Sequence, residues 1–350
     1  MSQQYNTVAP RIGKLKGQIL KHAVPKEVLG ITGQQHKMGK NMSDTVVFRR
    51  WLPFGGSTAG TGQTFASNIN RWVVDAAAHE TQEGVTPDAD TIEAQDITVK
   101  LRQYSCLYMY TDKTAVLYED NIPDAMKKQT GQRMGLVREK IRYGALKGCT
   151  NKFYAGGSSR SAVDEVISLG LLRAITRSLA GNRSETITEI LSPSANYNTT
   201  AVEAGYLVFC HTDCENDIRE LPNFVETASY GSRKVIHACE LGATDRYRFI
   251  VSPELDPILA GGAAVAGTGL VSVGASNVDV YPMIVVAEDA WGDVALRGKE
   301  SFDVTHIAHS QKDKTDPLGQ RGYIGASFWS ASFVQNDGWM AVAEVGVTVL

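Results

Sequence analysis

The chain has 350 residues, of which 43% are hydrophobic and 21% charged, a composition typical of a soluble globular protein with two or three domains. Its longest uncharged stretch, residues 257–278, is too rich in glycine and alanine to span a bilayer, and no apolar run follows a charged start as in a secretory signal. Five cysteines without such a signal favour a reduced, cytosolic fold. We therefore expect no membrane association.

The first 44 residues lack sustained periodicity and contain glycine and proline throughout, which predicts an extended arm with little core of its own. Residues 1–50 contain nine Lys or Arg and two acids, so this segment carries +7 and the rest of the chain -10. A basic arm on an acidic body indicates contact with a neighbouring copy or a polyanion, with a solvated tail as the alternative. The candidate contact residues are Arg11, Lys14, Lys16 and Lys21.

A β-rich run at residues 45–52 is followed by a glycine-rich loop, a second run at 71–76 and a turn-rich stretch at 83–88. From 97 to 110, apolar residues at odd positions alternate with polar and aromatic residues at even positions, which predicts one long strand. Fourteen residues span roughly 45 Å, whereas a typical strand has about 5–6 residues. We therefore predict a projecting hairpin over residues 46–110 that needs a partner surface; packing on its own domain is the alternative.

Residues 121–150 change to a helical pattern, with Pro123 in the first turn and methionines along one face. Seven Lys or Arg against two acids make this helix basic. Gly131, Gly135 and Gly144 each cost about 1 kcal/mol relative to alanine in a helix interior. Their presence predicts either an interruption of the helix or the close approach of another backbone.

Between residues 151 and 290 the pattern predicts an α/β region, and the stretch 257–278 within it predicts a mobile loop. The predicted elements are helices at 168–180 and 214–221, the second capped by Thr212 and Asp213, and strands at 206–210, 247–251 and 278–287. From Arg321 the β pattern returns, and Asn336-Asp337-Gly338 predicts a hairpin turn before a closing strand.

Motifs of nucleotide binding and hydrolysis are incomplete in this sequence. The spacing from Gly33 to Lys40 is one residue too long for a phosphate-binding loop, and Asn41 replaces the Ser or Thr that magnesium needs. The Gly-x-Ser-x-Gly pattern of hydrolases is missing, and no pair of carboxylates argues for acid–base catalysis. We predict a structural protein without a cofactor, not an enzyme.

One group of residues has metal-ligand chemistry: Cys210, His211 and Cys214, with His237 and Cys239 further on. Two such pairs could hold zinc in a tetrahedral site. However, Cys210 and His211 would point to opposite faces of a strand, and the spacing matches none of the usual zinc fingers. We expect buried, apolar cysteines, and keep a cytosolic metal-dependent enzyme as the alternative from a different class.

Four segments, in this order, resemble the major capsid proteins of tailed bacteriophages. They are Glu83-Gly84-Val85-Thr86-Pro87 with the strand ending Tyr110-Thr111-Asp112, the run from Gly242 to Ile250, Val280-Tyr281-Pro282 leading to Glu288-Asp289-Ala290-Trp291-Gly292, and Asp316-Pro317-Leu318-Gly319-Gln320-Arg321-Gly322. The last is the most specific. Over about residues 45–350 the chain is similar to proteins with the Hong Kong 97-like fold, in particular the subfamily of the N-four coliphage.

This resemblance implies an α+β fold whose parts have assigned places in the chain. They are an N-terminal arm at 1–45, an extended β-hairpin loop at 46–110, a peripheral domain with a spine helix at 111–160 and 291–350, and an axial domain at 161–290. It also implies hexamers and pentamers that close as an icosahedral shell around phage double-stranded DNA, in a virion assembled in the host cytoplasm. The hairpin would lie on the adjacent subunit.

The resemblance also implies partners. The chain lacks a long charged helical prefix, so we expect a separate scaffolding protein, together with a portal protein and, as a further candidate, a cement protein. The basic helix offers candidate contacts to packaged DNA through Lys127, Lys128, Arg138 and Arg142, without base specificity. The alternative is that these cations pair with acids of the body. An encapsulin-like nanocompartment shell is the alternative function, and its cargo would distinguish it.

Overall fold

The structure is a computed structural model that describes most of the chain after residue 26. The described residues are 27–41, 43–51, 80–81, 83–84, 92, 94–117, 121–187, 205–230, 235–265, 267–274, 276–299, 302–312 and 314–350. Within them lie three β-sheets and four α-helices, the mixed α+β architecture that the sequence predicts. No helix in these ranges is long and apolar enough to cross a membrane.

Fourteen strands and four helices are numbered here along the chain. The strands are β1 (Gln34–Met38), β2 (Thr45–Trp51), β3 (Ala94–Lys100), β4 (Arg102–Thr111), β5 (Lys152–Tyr154), β6 (Tyr206–Cys210), β7 (Val225–Glu226), β8 (Glu240–Thr244), β9 (Tyr247–Val251), β10 (Tyr281–Val286), β11 (Trp291–Leu296), β12 (Asp303–Ile307), β13 (Arg321–Val334) and β14 (Met340–Val345). The helices are α1 (Asp112–Leu117), α2 (Ile122–Lys147), α3 (Leu169–Gly181) and α4 (Glu215–Arg219).

Seven strands form the larger sheet, in the order β5-β14-β10-β6-β9-β8-β7. Every residue of β6, β10 and β14 is buried, as expected for central strands covered on both faces. On one face, α3 contributes Leu172 and Ile175 to a cluster with β6 and β9. The end of α2 covers the other face through Tyr143 and Leu146. The strands predicted at 206–210 and 247–251 are confirmed.

The second sheet is centred on β13, which pairs with β4 along one side and with β11 and β12 along the other. β1 extends this sheet by pairing in parallel with β11. Helix α2 lies across it, where Met126 packs with Ile324 and Met134 packs with Phe328. The fourteen-residue β13 is therefore the common support of α2 and of the long strand β4.

Helix α2 begins where the sequence predicts. The Asn121 side chain accepts a hydrogen bond from the Asp124 N–H, and Pro123 occupies the first turn. The interruption, one of the two predicted alternatives, does not occur, because the helix runs through all three glycines. A Cβ at Gly135 would collide with the Glu27 carboxylate, whereas one at Gly131 or Gly144 would meet no described atom within 4 Å.

The single strand predicted over residues 97–110 is also wrong. The strand is interrupted at Leu101, whose N–H donates to the Asp44 carbonyl at 2.8 Å. The two halves, β3 and β4, lie in different sheets. In β4 the covered face is the aromatic one, because Tyr104 and Tyr110 pack under α2, while Leu107 is 65% exposed. The alternating pattern correctly indicated β-structure here. The buried face, however, is the aromatic one and not the apolar one.

The expectation that the first 44 residues contribute little core is wrong for residues 27–38. Val28 and Leu29 are buried against the larger sheet, and β1 belongs to the second sheet. The stretch 257–278, predicted as a mobile loop, is held in the described residues by backbone hydrogen bonds at its start, at its end and between them. Ile258 and Val280 exchange backbone hydrogen bonds, and the Val271 N–H donates to the Val347 carbonyl at 2.8 Å.

Two connections cross between the sheets side by side, one from β10 to β11 and one from β13 to β14. The N–H groups of Gln335 and Asn336 both donate to the Ala290 carbonyl, at 2.9 and 3.0 Å, and the Ala287 N–H donates to the Trp339 carbonyl at 3.1 Å. The hairpin turn predicted at 336–338 is therefore wrong, because β14 pairs with β10 and not with β13.

Candidate functional site

The two-stranded ribbon of β2 and β3 has one face packed on the body and one face exposed. Phe48 stacks on Phe333 with ring centroids 4.7 Å apart, and Val99 is buried in the same cluster. On the opposite face, Val47 and Trp51 are 55% and 63% exposed. In the described strands the inner face therefore packs on the same chain, as the alternative prediction has it, while Val47 and Trp51 leave apolar area open on the outer face.

Charge pairs fix the exposed face of the ribbon. Arg49 donates to both carboxylate oxygens of Asp96 at 2.8 Å, and this hydrogen bonding lowers the pKa of Asp96. Arg50 reaches back to the body, donating to the Gln335 carbonyl at 3.2 Å and to Gln95 within the ribbon at 2.8 Å. Residues 52–79, which include most of the predicted hairpin tip, lie outside the described residues.

The face of the second sheet that points away from α2 carries a further apolar surface. Leu107 and Met109 of β4 lie opposite Gly325 and Tyr323 of β13, and Ile307 of β12 lies opposite Tyr323 on its other side. Leu107 is 65% and Ile307 39% exposed. This surface and the ribbon give the described chain two apolar faces that a partner could cover.

The predicted DNA-facing helix residues do not share one surface. Arg142 is wrong as a DNA contact, because its side chain is 8% exposed and donates to Asp293 at 2.7 Å. Arg138 is half-buried, lies over the Phe302 ring and pairs with Glu27 at 3.6 Å. Periodicity places a cation on a helix face, but only the tertiary contacts decide whether that face is covered.

The other two residues of this set lie near the start of α2 and are more accessible. Lys127 is exposed and pairs with Asp124 one turn earlier, at 3.2 Å. Lys128 is exposed as well. The candidate arm residues Arg11, Lys14, Lys16 and Lys21 lie outside the described residues.

A buried charged group that the sequence analysis missed joins α2 to the N-terminal segment. Glu139 is fully buried, and its Oε1 accepts the N–H groups of Val28 and Leu29 at 2.7 and 2.8 Å. Its Oε2 lies 3.8 Å from Arg142, which pairs with Asp293. Burial raises the pKa of Glu139, and Glu27 adds to this, whereas the two N–H donors and Arg142 lower it. No sequence signal marked this residue, because at 3.6 residues per turn Glu139 falls on the side of the helix opposite Met134 and Ile141.

The five candidate metal ligands are not arranged as a zinc site. Cys210 and Cys214 are fully buried in the apolar cluster under α3, and this burial raises the pKa of both thiols. His211 accepts the Asp213 N–H, and His237 accepts the Cys239 N–H, both through Nδ1 at 3.1 Å. Among the described residues no three His, Cys, Asp or Glu side chains could hold a metal.

These contacts also correct the predicted helix start. The helix predicted at 214–221 is a short 3-10 turn, Thr212–Cys214, followed by α4. His211, not Thr212 or Asp213, provides the side-chain cap.

The motif from Asp316 to Gly322 forms the turn that starts β13. Its Asp316 carboxylate accepts the Arg321 N–H at 2.7 Å, and the backbone hydrogen bonds from Gln320 and Arg321 lower the pKa of that carboxyl. Gly319 has φ +66°, a conformation that favours glycine. The Gln320 carbonyl accepts the Asp112 N–H at 2.9 Å, which ties the turn to the start of α1. Leu318 remains 73% exposed at its tip.

Comparison with known proteins places this arrangement among phage capsids. No family model matches the sequence. The major capsid protein of Pseudomonas phage KPP21 is 21% identical over 201 residues, which cover 53% of this chain and 50% of that protein. The match therefore spans about half the length of this curated relative.

Solved structures give a longer match at lower identity. The capsid of Ralstonia phage GP4 superposes with a TM-score of 0.65 at 11% identity, covering 97% of this chain and 96% of that one. For the capsid of Cyanophage P-SCSP1u the TM-score is 0.60 at 9% identity, with 96% and 93% covered. Cyanophage Pam1 gives 0.58 at 14% identity, with 97% of each chain covered. The chain has the fold of these phage capsid proteins.

Proposed function

We propose that this chain is the major capsid protein of a tailed phage, with the Hong Kong 97-like fold of the N-four coliphage type. The observation that carries the proposal is a capsid fold that matches nearly the whole chain, from 95% to 97% of it in eight phage structures. The weaker sequence similarity to a major capsid protein agrees with it. Two exposed apolar faces supply surfaces that self-assembly would bury.

In this proposal, α2 is the spine helix and lies on the sheet centred on β13 in a peripheral domain of residues 111–160 and 291–350. Residues 161–290 form an axial domain, to whose sheet β5 and β14 are added. Residues 46–110 supply the extended hairpin, of which β4 joins the sheet centred on β13, and residues 1–45 supply the arm, of which β1 joins that same sheet. Subunits join as hexamers and pentamers, and the exposed side of the ribbon lies on the next subunit.

The shell encloses double-stranded DNA, and its inner surface needs cations that are not already paired inside the subunit. Lys128 fits this role because it is exposed near the start of α2, whereas Lys127, although exposed, already pairs with Asp124. Arg142 is excluded by its burial. Scaffolding and portal proteins are the expected assembly partners in the host cytoplasm, a cement protein is a further candidate, and the mature location is the virion.

The test is assembly of the purified chain with its scaffolding protein, followed by sedimentation and negative-stain microscopy. Closed shells with capsomer-sized intermediates are expected. A stable 38.0 kDa monomer at high concentration would contradict the proposal. Cargo separates the two shell functions: DNA in shells isolated from infected cells supports a phage head, whereas a packaged enzyme supports a nanocompartment.

A further inference from the structure

The N-terminal segment 27–33 is held in a groove between α2 and β11. The fully buried Glu139 carboxylate accepts the N–H groups of two consecutive residues, Val28 and Leu29, whose side chains are 1% and 0% exposed. Two charge-assisted hydrogen bonds to adjacent backbone groups fix both the position and the direction of the chain at this point.

Two glycines of the segment lie so close to the walls of the groove that a Cβ at either would collide with a side chain. A Cβ at Gly30 would lie 2.5 Å from Nη1 of Arg142, and a Cβ at Gly33 would lie 2.5 Å from the Trp291 ring. Trp291 is fully buried and donates from Nε1 to the Thr32 hydroxyl at 3.0 Å. The burial of the Val28 and Leu29 side chains alone would not require such close contacts at Gly30 and Gly33. The groove therefore fixes the path of the backbone in addition to the two side chains.

Positive charge is concentrated immediately before the groove. Residues 1–26 contain five cations and no acid: Arg11, Lys14, Lys16, Lys21 and Lys26. The remainder of the chain, residues 27–350, is therefore -8. Opposite net charges favour contact between these residues and another copy of the chain, and such contacts depend on where the residues leave the body.

We propose that Glu139 is a positioning residue for assembly: it fixes the point on α2 from which the basic residues 1–26 leave, so that they reach an acidic surface of a second copy. This inference rests on the proposed capsid function. The Arg142–Asp293 ion pair supports this arrangement, because Nη1 of Arg142 lies 3.8 Å from Oε2 of Glu139 and a Cβ at Gly30 would lie 2.5 Å from the same nitrogen. The neighbours Glu27 and Arg138 close its solvent side with an ion pair at 3.6 Å.

The experiment is a cycle of four full-length chains that compares rates of shell closure with scaffold present. The chains are the unchanged protein, Glu139→Ala, a variant with the five cations of residues 1–26 replaced by glutamine, and the combination. Each single change is expected to slow closure roughly tenfold, as loss of one strong interaction predicts. The combination is expected to be no slower than the glutamine variant alone, because Glu139 acts through those cations.

Two further variants separate positioning from loss of stability. Glu139→Gln keeps one carbonyl acceptor for the two N–H groups and is expected to restore most of the rate. Glu344→Gln is the matched control, because Glu344 is also fully buried and pairs with Arg160 at 2.6 Å in the other sheet. It is expected to lower the melting temperature without changing the effect of the five cations.

The inference would be overturned if the combined variant closed shells more slowly than either single variant, by the product of the two separate reductions in rate. Glu139 would then act only as part of the fold. Unchanged closure by the glutamine variant, with less DNA retained in heads, would also overturn it and assign residues 1–26 to DNA. Failure of the unchanged chain to form shells would instead contradict the proposed function.

Discussion

Arg142 and Asp293 form an ion pair at 2.7 Å with side chains 8% and 5% exposed. Replacing Arg142 by methionine would leave the Asp293 carboxylate buried with only the Ser332 hydroxyl as a side-chain donor. We predict a loss of about 3–5 kcal/mol in the free energy of unfolding, measured by urea denaturation. The double variant R142M/D293N should recover part of this loss, because it removes the unpaired charge; equal losses in both variants would contradict this account.

Glu139 should make stability depend on pH in an uncommon direction for a carboxyl group. Burial raises its pKa in the folded protein, so the folded state binds this proton more tightly than the unfolded state. Its stabilising contribution is complete below the unfolded pKa and is lost as pH rises through the raised folded pKa. Urea denaturation from about pH 4 to pH 7 should therefore show E139Q gaining stability relative to the unchanged chain. A difference that stays constant with pH would contradict this.

At the scale of elements, α2 contains glycines at positions where no close contact within the described chain excludes a side chain. A Cβ at Gly131 meets no described atom within 4 Å, so Gly131→Ala should stabilise the subunit by about 1 kcal/mol through helix propensity alone. Gly135→Ala is the matched control in the same helix, because its Cβ would collide with Glu27. The melting temperature should rise less for Gly135→Ala than for Gly131→Ala, because the new Cβ must displace the Glu27 carboxylate, and equal shifts would show that the Glu27 contact has no effect.

Local patterns predicted the elements whose cause is local. The starts of α2 and α3 near residues 121 and 168 and the buried strands β6 and β9 follow from adjacent residues, and they occur where expected. The buried face of β4 could not be predicted in this way. It is set by pairing with β13, more than two hundred residues later, and by α2, which covers the aromatic side.

The candidate site was predictable to the same extent. Lys127 and Lys128 are exposed as their polarity suggests, but Arg142 is neutralised by Asp293, 151 residues away. Glu139 could not be recognised because its partners are backbone N–H groups, which leave no mark in the sequence. The ribbon was predicted at β2, and its inner face became visible only through Phe333.

At the scale of the whole molecule, the two faces of the ribbon should respond differently to substitution. Val47 and Trp51 lie on the exposed face, so V47S/W51S should change the subunit's unfolding free energy by less than about 0.5 kcal/mol. Shell yield should fall if, as proposed, this face lies on the next subunit, because the apolar area buried there would be smaller. Normal shells from this variant, counted by microscopy, would exclude the ribbon face as an interface.

Phe48→Ser changes the inner face of the ribbon and serves as the comparison for V47S/W51S. Phe48 packs in the cluster with Phe333, so the substitution should lower subunit stability before assembly begins. Comparing the melting temperatures of the two variants separates an interface defect from a folding defect.

The paired connections at Ala290 and 335–339 have a mechanical consequence. The two connecting segments, joined by three backbone hydrogen bonds, cross from one sheet to the other at the same place. A joint with two parallel links resists torsion about its length far better than a single linker, while still permitting bending perpendicular to the pair. When neighbours pull on the ribbon, the load reaches β13 through Phe48 and Phe333 and then passes to β14. The two sheets should therefore move together as one rigid unit, so that a displacement of the ribbon also displaces the larger sheet.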